Sequence, residues 1–365
     1  MTSDLRNIAG HFAVEGELTA VEPFGGGHIN ESFLLTYRHE GGVARFLLQH
    51  LNQAVFPSPA LVMDNIRRVT GHIRRQLESS AGTDLGRRLL RLVHTHDGSP
   101  CCRDGAGGCW RLYVFIEGTR GCQTVDTPEL AERAGRAFGR FQALLIDIPG
   151  PRLHETIPGF HHTPSRFAAL ERAIQADPHG RLSAARAEAQ YASRHRPLAA
   201  VLSDLHEAGD IPERVVHNDA KIGNLLLDAR TGEPLCVVDL DTVMPGLAPH
   251  DFGDMVRSMT CPAPEDETDL SRVEVSMPLF EALARGYLQA AAPFLTPAER
   301  ANLLTAGKLI TLEQGVRFLT DFLNGDTYYR IQRPNHNLDR CRTQFRLFAS
   351  IVRHEREMAR FVAGL

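Results

Sequence analysis

Three side chains suited to handling a proton and a hard cation fall within 21 residues of one segment, Val215–Asp241, VVHNDAKIGNLLLDARTGEPLCVVDLD. They are Asp219, Asn224 and Asp239. Two short apolar runs lie between them, Leu225–Leu227 and Leu235–Val238, and the Asp228–Pro234 stretch that joins the runs carries Gly and Pro. This pattern predicts a pair of strands joined by a turn. A hairpin brings Asn224 at its start beside Asp239 at its end. One amide oxygen and one carboxylate then form a site for Mg²⁺, which takes few protein ligands and completes its shell with phosphate and water. Asp219 is left to receive a proton from a hydroxyl. A base Asp, an Asn five residues on and a second Asp after a hairpin are the parts of phosphoryl transfer. Any one of the three, read alone, is an ordinary turn residue; their joint spacing carries the reading.

Lysine usage sharpens it. The chain has two lysines, Lys221 and Lys308, and its other 38 Lys/Arg positions are arginine. Lys221 follows Asp219 by two residues, and its compact ammonium is suited to a transferring phosphate. Lys308 has no such context.

The elements that position this segment follow from periodicity and punctuation. Strands are expected at Phe33–Tyr37 and Ala44–His50, turned at Gly41-Gly42. Before them stands Phe24-Gly25-Gly26-Gly27-His28-Ile29-Asn30. Consecutive glycines let backbone N–H groups approach a phosphate closely. No Gly-Lys-Ser/Thr follows, so this is not a P-loop. A helix is expected over Pro59–Leu77, then strands over Arg88–Thr95 and Trp110–Ile116, joined by the SPCCRDGAGGC stretch. The Cys101, Cys102 and Cys109 spacing matches no standard zinc pattern and reads as a hairpin loop with free thiols.

After Phe115-Ile116-Glu117-Gly118 the pattern becomes helical, which divides the chain into 1–117 and 118–365. Helices are expected at Glu129–Leu145, Phe167–Ala176 and Ala184–Ala208, and 272–365 is largely helical. The acidic run PAPEDETD at 262–269 reads as a solvated loop. The fold class is therefore α+β: a small β-rich N-terminal lobe and a larger, mainly helical C-terminal lobe.

Composition excludes several classes. At 365 residues, with 43% apolar and 23% charged residues, the chain has the make-up of a globular protein. A net charge of −4 favours neither nucleic acid nor an anionic membrane as partner. No basic and apolar leader opens the sequence and no 18-residue apolar stretch occurs, so a cytoplasmic protein without a membrane span is expected. The odd, scattered set of seven cysteines suits a reducing compartment.

With these residues in place, the chain resembles the aminoglycoside phosphotransferase and choline kinase branch of the protein kinase-like fold, bilobal as above. Within that branch it is similar to the N-acetylhexosamine 1-kinases over nearly its full length. The resemblance rests on GGGHINESF, RFLLQHLN, VFPSPALVMDNI, WRLYVFIEGT, HNDAKIGNLLLD, CVVDLDTVMPGL, HDFGD, RFLTDFLNGDTYY and HNLDRCRTQ. It implies an ATP- and Mg²⁺-dependent kinase with Asp219 as base and Asn224 and Asp239 on the metal. Adenine would lie on the backbone near Phe115–Glu117, with phosphates under Gly25, Gly26 and Gly27 and near Gln49 and Lys221. Asp251 would clamp the Asp219 loop, and Asp241 and Asp254 would be supporting carboxylates. Sugar contacts would come from His28, Asn30, Arg317 and Tyr328. One departure from ordinary kinases stands out. The strand that usually supplies a phosphate-binding lysine reads RFLLQH, with Gln49 at that place. The resemblance leaves two other readings: a phosphotransferase for another sugar, an aminoglycoside or choline, and a nucleotide-binding pseudokinase.

Overall fold

The structure, a computed structural model, describes residues 2–25, 29–78 and 84–365. Gly26, Gly27 and His28 lie outside the described residues. The chain opens with helix α1 (Thr2–Ala9) and strands β1 (Glu17–Pro23), β2 (Glu31–His39) and β3 (Gly42–Leu51). Helices α2 (Pro59–Glu78) and α3 (Leu85–Arg88) follow, then strands β4 (Leu92–Val93), β5 (Cys102–Arg103) and β6 (Cys109–Val114). These strands form one antiparallel sheet in the order β1-β2-β3-β6-β4, with β5 paired to β6. In its register Ser32 lies opposite Gln49, and Gln49 opposite Arg111. That row of polar residues crosses a sheet whose other face packs on Leu35, Leu48 and Leu112.

The continuous strand expected over Arg88–Thr95 does not form. Leu89 and Leu90 are both buried, so alternation fails there, and only Leu92–Val93 pairs with β6. β1 was not anticipated; the charges in ELTAVEP obscure its alternation.

The helical part contains α4 (Pro128–Ala143), α5 (Thr163–Ala176), α6 (Arg186–His195), α7 (Val201–Glu207), α8 (Ala248–Met259), α9 (Met277–Ala291), α10 (Pro297–Ala301), α11 (Leu303–Leu323) and α12 (His336–Gly364). Short strands β7 (Thr119–Arg120), β8 (Arg214–Val216), β9 (Leu225–Asp228), β10 (Pro234–Val237) and β11 (Met244–Gly246) punctuate it. The single helix expected over Ala184–Ala208 is broken. A 3₁₀ turn at Arg196–Ala200 separates α6 from α7, because Pro197 has no N–H for the helical ladder. The acidic 262–269 run is also less solvated than expected. Glu267 is buried against Arg272, and Asp266 accepts hydrogen bonds from His336 and Arg333.

α4 and α9 pack with little space between backbones. A Cβ at Gly286 would meet the Glu132 carbonyl oxygen at 1.9 Å, and one at Gly135 would meet the Leu283 carbonyl oxygen at 2.4 Å. This close approach, with Phe138, Phe252, Phe280 and Leu283, makes the rigid core beneath the Val215–Asp241 segment.

Candidate active site

β8 pairs with β11 and delivers His217-Asn218-Asp219 to the edge of the helical part. The loop is held by its backbone. Asp251, fully buried on α8, accepts from the N–H groups of His217 at 2.9 Å and Asn218 at 2.7 Å. Its carboxylate also accepts from Gln142 at 2.8 Å, and Gln142 in turn accepts from the Tyr287 hydroxyl at 2.7 Å. A chain of buried hydrogen bonds thus runs from α9 to the loop. It restrains Asn218, whose φ of 63° is left-handed and unfavourable for a residue with a side chain. His217 Nδ1 accepts from the Asp219 N–H at 3.3 Å, so Nε2 carries the ring proton and donates to the Val238 carbonyl at 3.0 Å.

The expected hairpin is present. β9 and β10 pair antiparallel with Val237 opposite Leu225, and the Val238 N–H donates to the Asn224 carbonyl at 2.9 Å. Asn224 and Asp239 therefore sit at the same end. Asn224 Nδ2 donates to both the carbonyl oxygen and Oδ2 of Asp219, each at 2.8 Å. Lys221 Nζ reaches the same Oδ2 at 2.8 Å. Asp219 Oδ2 thus carries two donors, and its Oδ1 carries none among the described residues. Burial alone would raise the Asp219 carboxyl, but the Lys221 ammonium and the Asn224 amide hold it below the usual carboxylate range.

Two oxygens face a possible cation. The Asn224 amide is turned by its bonds to Asp219, so its Oδ1 meets no protein donor among the described residues. Asp239, with φ 59°, is accessible, and its carboxylate has no hydrogen-bond or ion-pair partner among the described residues. Desolvation by the surrounding protein, with Asp241 and Asp219 nearby, pushes its carboxyl up to about 6. An unpartnered carboxylate crowded by two others is what a divalent cation relieves. Among the described residues no group of three or more His, Cys, Asp or Glu side chains is arranged to hold a metal. A cation at the Asn224–Asp239 pair would draw its other ligands from phosphate and water.

The sheet reaches this site through a residue that periodicity did not single out. Arg111 on β6 is buried to 1% exposure and forms a two-pronged ion pair with Asp241, with Nη2 to Oδ2 at 2.9 Å. It also donates to Gln49 Oε1 from Nε at 3.0 Å and Nη2 at 2.8 Å. Gln49 Nε2 donates on to Ser32 Oγ at 3.0 Å. Asn30 is drawn into the same network. Its Nδ2 donates to Asp241 Oδ2 at 2.7 Å, and its Oδ1 accepts from the Asn52 N–H at 3.0 Å. Both ends of the Asn30 amide are thereby engaged within the protein. Gln49 carries no charge, and the cation near that place is Arg111, its register partner on β6. Asp241 is the tie between sheet and site. Asp254 pairs with Arg257 at 2.7 Å, and its other oxygen is buried without a partner.

Replacing Arg111 by Met strands the Asp241 carboxylate, which is also nearly inaccessible. Loss of one partner of a buried pair costs about 3–5 kcal/mol, whereas removing both charges costs far less. Arg111→Met should therefore lower the urea midpoint sharply, and Arg111→Met with Asp241→Asn should recover much of it. Equal midpoints for the single and double variants would contradict this coupling.

On the far side of Asp219, Arg317 of α11 lies over the Phe160 ring at 4.8 Å, with Tyr329 at 5.8 Å and Tyr328 at 5.9 Å. Its one hydrogen bond to a side chain goes to Gln314 at 3.3 Å, and no carboxylate pairs with it among the described residues. Burial lowers its affinity for its proton, but Tyr329, Tyr328, Glu313 and Asp219 together raise it, so Asp219 lies within its electrostatic reach. Arg317 and Tyr328 are brought together, and Tyr328 is 40% exposed.

On the sheet side, the Phe115 ring meets Phe24 edge-on at 5.5 Å and is covered by Arg45 at 4.7 Å. Arg45 also pairs with the Glu117 carboxylate. Arg87 ties down the carbonyls of Glu117 at 3.1 Å and Gly118 at 2.9 Å. The Phe115 carbonyl and the Glu117 N–H make no hydrogen bond among the described residues, which leaves one acceptor and one donor, two residues apart, for a planar base. Gly25 has φ +73°, and among the described residues nothing lies within 4 Å of where its Cβ would stand, which suits a backbone close to a ligand.

Residues 20–303 match the phosphotransferase enzyme family (APH). Solved structures with the same fold include a microcompartment-associated aminopropanol kinase, with TM-score 0.59 and 15% identity over 98% of this chain and 99% of the other. They also include an aminoglycoside phosphotransferase from Alicyclobacillus acidocaldarius subsp. acidocaldarius DSM 446, with TM-score 0.58 and 12% identity over 98% and 95% of the two chains. A choline kinase from Cryptosporidium parvum Iowa II aligns with TM-score 0.58 and 12% identity over 98% and 96%. The antiparallel sheet followed by a helical part is the kinase-like arrangement of these proteins, and by the match over residues 20–303 the chain belongs to the phosphotransferase enzyme family.

Proposed function

We propose that this phosphotransferase is an ATP-dependent sugar kinase that phosphorylates the anomeric hydroxyl of N-acetylhexosamines. The observation that carries the acceptor class is Arg317. A guanidinium framed by Phe160, Tyr328 and Tyr329, paired with no carboxylate among the described residues, lies within electrostatic reach of Asp219. Such a site repels a cationic alcohol such as choline or an aminoglycoside. It suits a neutral sugar, whose apolar face stacks on a ring and whose carbonyl or hydroxyl oxygens accept from arginine. The likeness of FLNGDTYY, which carries Tyr328, to the N-acetylhexosamine 1-kinases points the same way.

In this reading ATP lies between the two parts of the molecule, with a division near residues 117 and 118. Adenine meets the Phe115 carbonyl and the Glu117 N–H, and the phosphates lie under Gly25–Gly27. Asn224 and Asp239 would hold Mg²⁺, which when bound would neutralise charge on the transferring phosphate. Asp219 Oδ1 orients the acceptor hydroxyl and takes its proton late in transfer. Because Oδ2 is already held by Lys221 and Asn224, the carboxylate is a weak base in a fixed orientation. A weak base assists the most acidic hydroxyl of a reducing sugar, the anomeric one, better than a primary alcohol. Lys221 keeps Asp219 ionised and stands near the incoming phosphate. His28 is retained as a sugar contact, and Asn30 acts through Asp241 unless nucleotide frees its amide.

Among the described residues no helix is long and apolar enough to cross a membrane. We take the site of action to be the cytoplasm, where ATP is supplied and seven unpaired cysteines are stable. A pseudokinase is disfavoured because Asp219, Asn224 and Asp239 are all present and mutually arranged for transfer.

The test is a panel of N-acetylglucosamine, N-acetylgalactosamine, glucose, choline and an aminoglycoside, each with ATP and Mg²⁺, read by product mass. An 80 Da gain on the N-acetylhexosamines with none on the cations is expected, the mass of one transferred phosphoryl group (~80 Da). Preferential phosphorylation of choline or the aminoglycoside would overturn the acceptor assignment and leave the family intact.

A further inference from the structure

The ring of His161 has two neighbours that can only accept. Its Nδ1 lies 2.8 Å from Glu313 Oε1, and its Nε2 lies 2.9 Å from the main-chain carbonyl oxygen of Asn218. Neither partner has a proton to give. Burial would raise the Glu313 carboxyl, but the His161 ring, Arg317 and the Thr163 hydroxyl hold it down to about 2, so it is a carboxylate. Thr163 Oγ1 donates to its other oxygen at 2.5 Å. An imidazolium charged against the Glu313 carboxylate meets both hydrogen bonds of His161 at once; a neutral ring, with one donor and one acceptor nitrogen, meets both only where Glu313 itself holds the proton. The pair is nearly sealed: the side chains are 6% and 1% exposed.

The carbonyl that His161 holds is not an arbitrary one. It belongs to Asn218, the left-handed residue immediately before Asp219. Asp251 grips the N–H of the same residue, and the Asn218 side chain donates to the Thr242 carbonyl at 3.0 Å. Asp251 and His161 thus take the two ends of one strained residue from opposite sides. The first comes from α8 beneath the loop, the second from the turn before α5. Glu313 stands one helical turn from Arg317 on α11, so the element that lines the acceptor side also steadies the loop.

We infer that His161 is a positioning residue for phosphoryl transfer. As an imidazolium charged against Glu313, it fixes the Asn218–Asp219 peptide and so aims Asp219 Oδ1 at the acceptor hydroxyl. The inference rests on the proposed role of Asp219 as base. Misplacing a reacting group by about 1 Å costs about 100-fold in rate, and the peptide that precedes Asp219 sets where its side chain begins. Other charged or titratable groups face the pair. His250 of α8 lies 5.1 Å from His161, ring to ring, and burial pushes it down to about 3, so it is neutral. Arg317 of α11 and Arg166 of α5 oppose further positive charge, and His206 of α7 interacts with His250. Glu313 is the carboxylate that balances the ring.

Three variants and one spectrum test this. His161→Phe leaves Glu313 buried without a partner and risks unfolding, so it is paired with Glu313→Leu. Replacing a buried ion pair with apolar side chains of similar size is commonly tolerated. The double variant should melt near the wild type and keep its KM for ATP, while kcat falls about 100-fold. Glu313→Gln should keep kcat within about threefold, a loss small on the scale of that effect. Its amide can donate to His161 Nδ1 and accept from Thr163, which leaves a neutral ring still donating to Asn218. The ratios are measured on whichever acceptor the wild type phosphorylates. The fourth readout needs no acceptor: in ¹⁵N-histidine spectra at neutral pH, both ring nitrogens of His161 should carry protons in the wild type and only one in Glu313→Gln. A folded double variant with kcat within about threefold of the wild type overturns the inference. So does a wild-type ring with one bare nitrogen, or a Glu313→Gln variant as slow as the double variant. Failure of the sugar reading would appear separately, as a wild type that does not phosphorylate N-acetylhexosamines.

Discussion

Asp219→Asn is expected to lower kcat by about a thousandfold, within the range that a positioned base contributes, while the affinity for ATP stays within a few-fold of the wild type. The amide is isosteric and can still orient the acceptor hydroxyl, but it cannot take its proton. Asp219 Oδ2 is occupied by Lys221 and Asn224, both at 2.8 Å, so the proposed role falls to Oδ1. In Asp219→Asn the new NH₂ group will turn away from those two donors and occupy the Oδ1 position. The variant thus presents a donor where an acceptor is needed. Steady-state kinetics with isothermal titration of nucleotide separate the two effects. A variant retaining more than about a tenth of wild-type kcat, a barrier change below about 1.4 kcal/mol, contradicts the assignment of Asp219 as base.

Asp239→Ala is expected to be as damaging to turnover and harmless to the fold. Its carboxylate has no partner within the protein among the described residues and is crowded by Asp241 and Asp219. Removing it relieves like-charge repulsion, so the melting temperature of the nucleotide-free protein should hold or rise. Turnover should fall by at least about a hundredfold, because the Asn224 oxygen alone would be too small a protein contribution to hold the cation. The combination is diagnostic. A structural carboxylate would lose stability and activity together, whereas a metal ligand loses activity alone. A melting temperature that drops along with kcat would remove Asp239 from the metal site.

These two residues were legible from the sequence because local chemistry determines their placement. Gly and Pro in the Asp228–Pro234 turn close a hairpin whose ends are four residues from the turn on one side and five on the other, so Asn224 and Asp239 must meet. Asp251 was legible by resemblance, and its two bonds to the loop backbone bear out the clamping role. Arg111 was not legible. It sits mid-strand in WRLYV, where alternation says only which face it occupies, and its partners Gln49 and Asp241 lie 62 and 130 positions away. His161 is hidden for the same reason: GFHHTP reads as a turn before a helix, and Glu313 is 152 positions distant. Long-range pairing of buried charges leaves no periodic trace, which hides both Arg111 and His161 from a reading of the sequence. The resemblance puts Asn30 among the sugar contacts; in the structure its amide bonds Asp241 and the Asn52 N–H, two partners the sequence does not reveal.

The network around Arg111 also accounts for the strand that lacks a lysine. Arg111 and Lys221 both lie within electrostatic reach of Asp239, whose carboxylate has no hydrogen-bond or ion-pair partner among the described residues. Gln49 supplies a neutral amide oriented by Arg111, and the charge sits one strand over, locked to Asp241.

The measurement that bears most directly on the central claim is the position of the new phosphate. The product of N-acetylglucosamine, ATP and Mg²⁺ should be a sugar 1-phosphate, whose anomeric proton is split by phosphorus in the NMR spectrum. The methyl glycoside, blocked at C1, should not turn over. A product phosphorylated at C6, or a methyl glycoside that reacts like the free sugar, would contradict the account of Asp219 as a weak base matched to the anomeric hydroxyl.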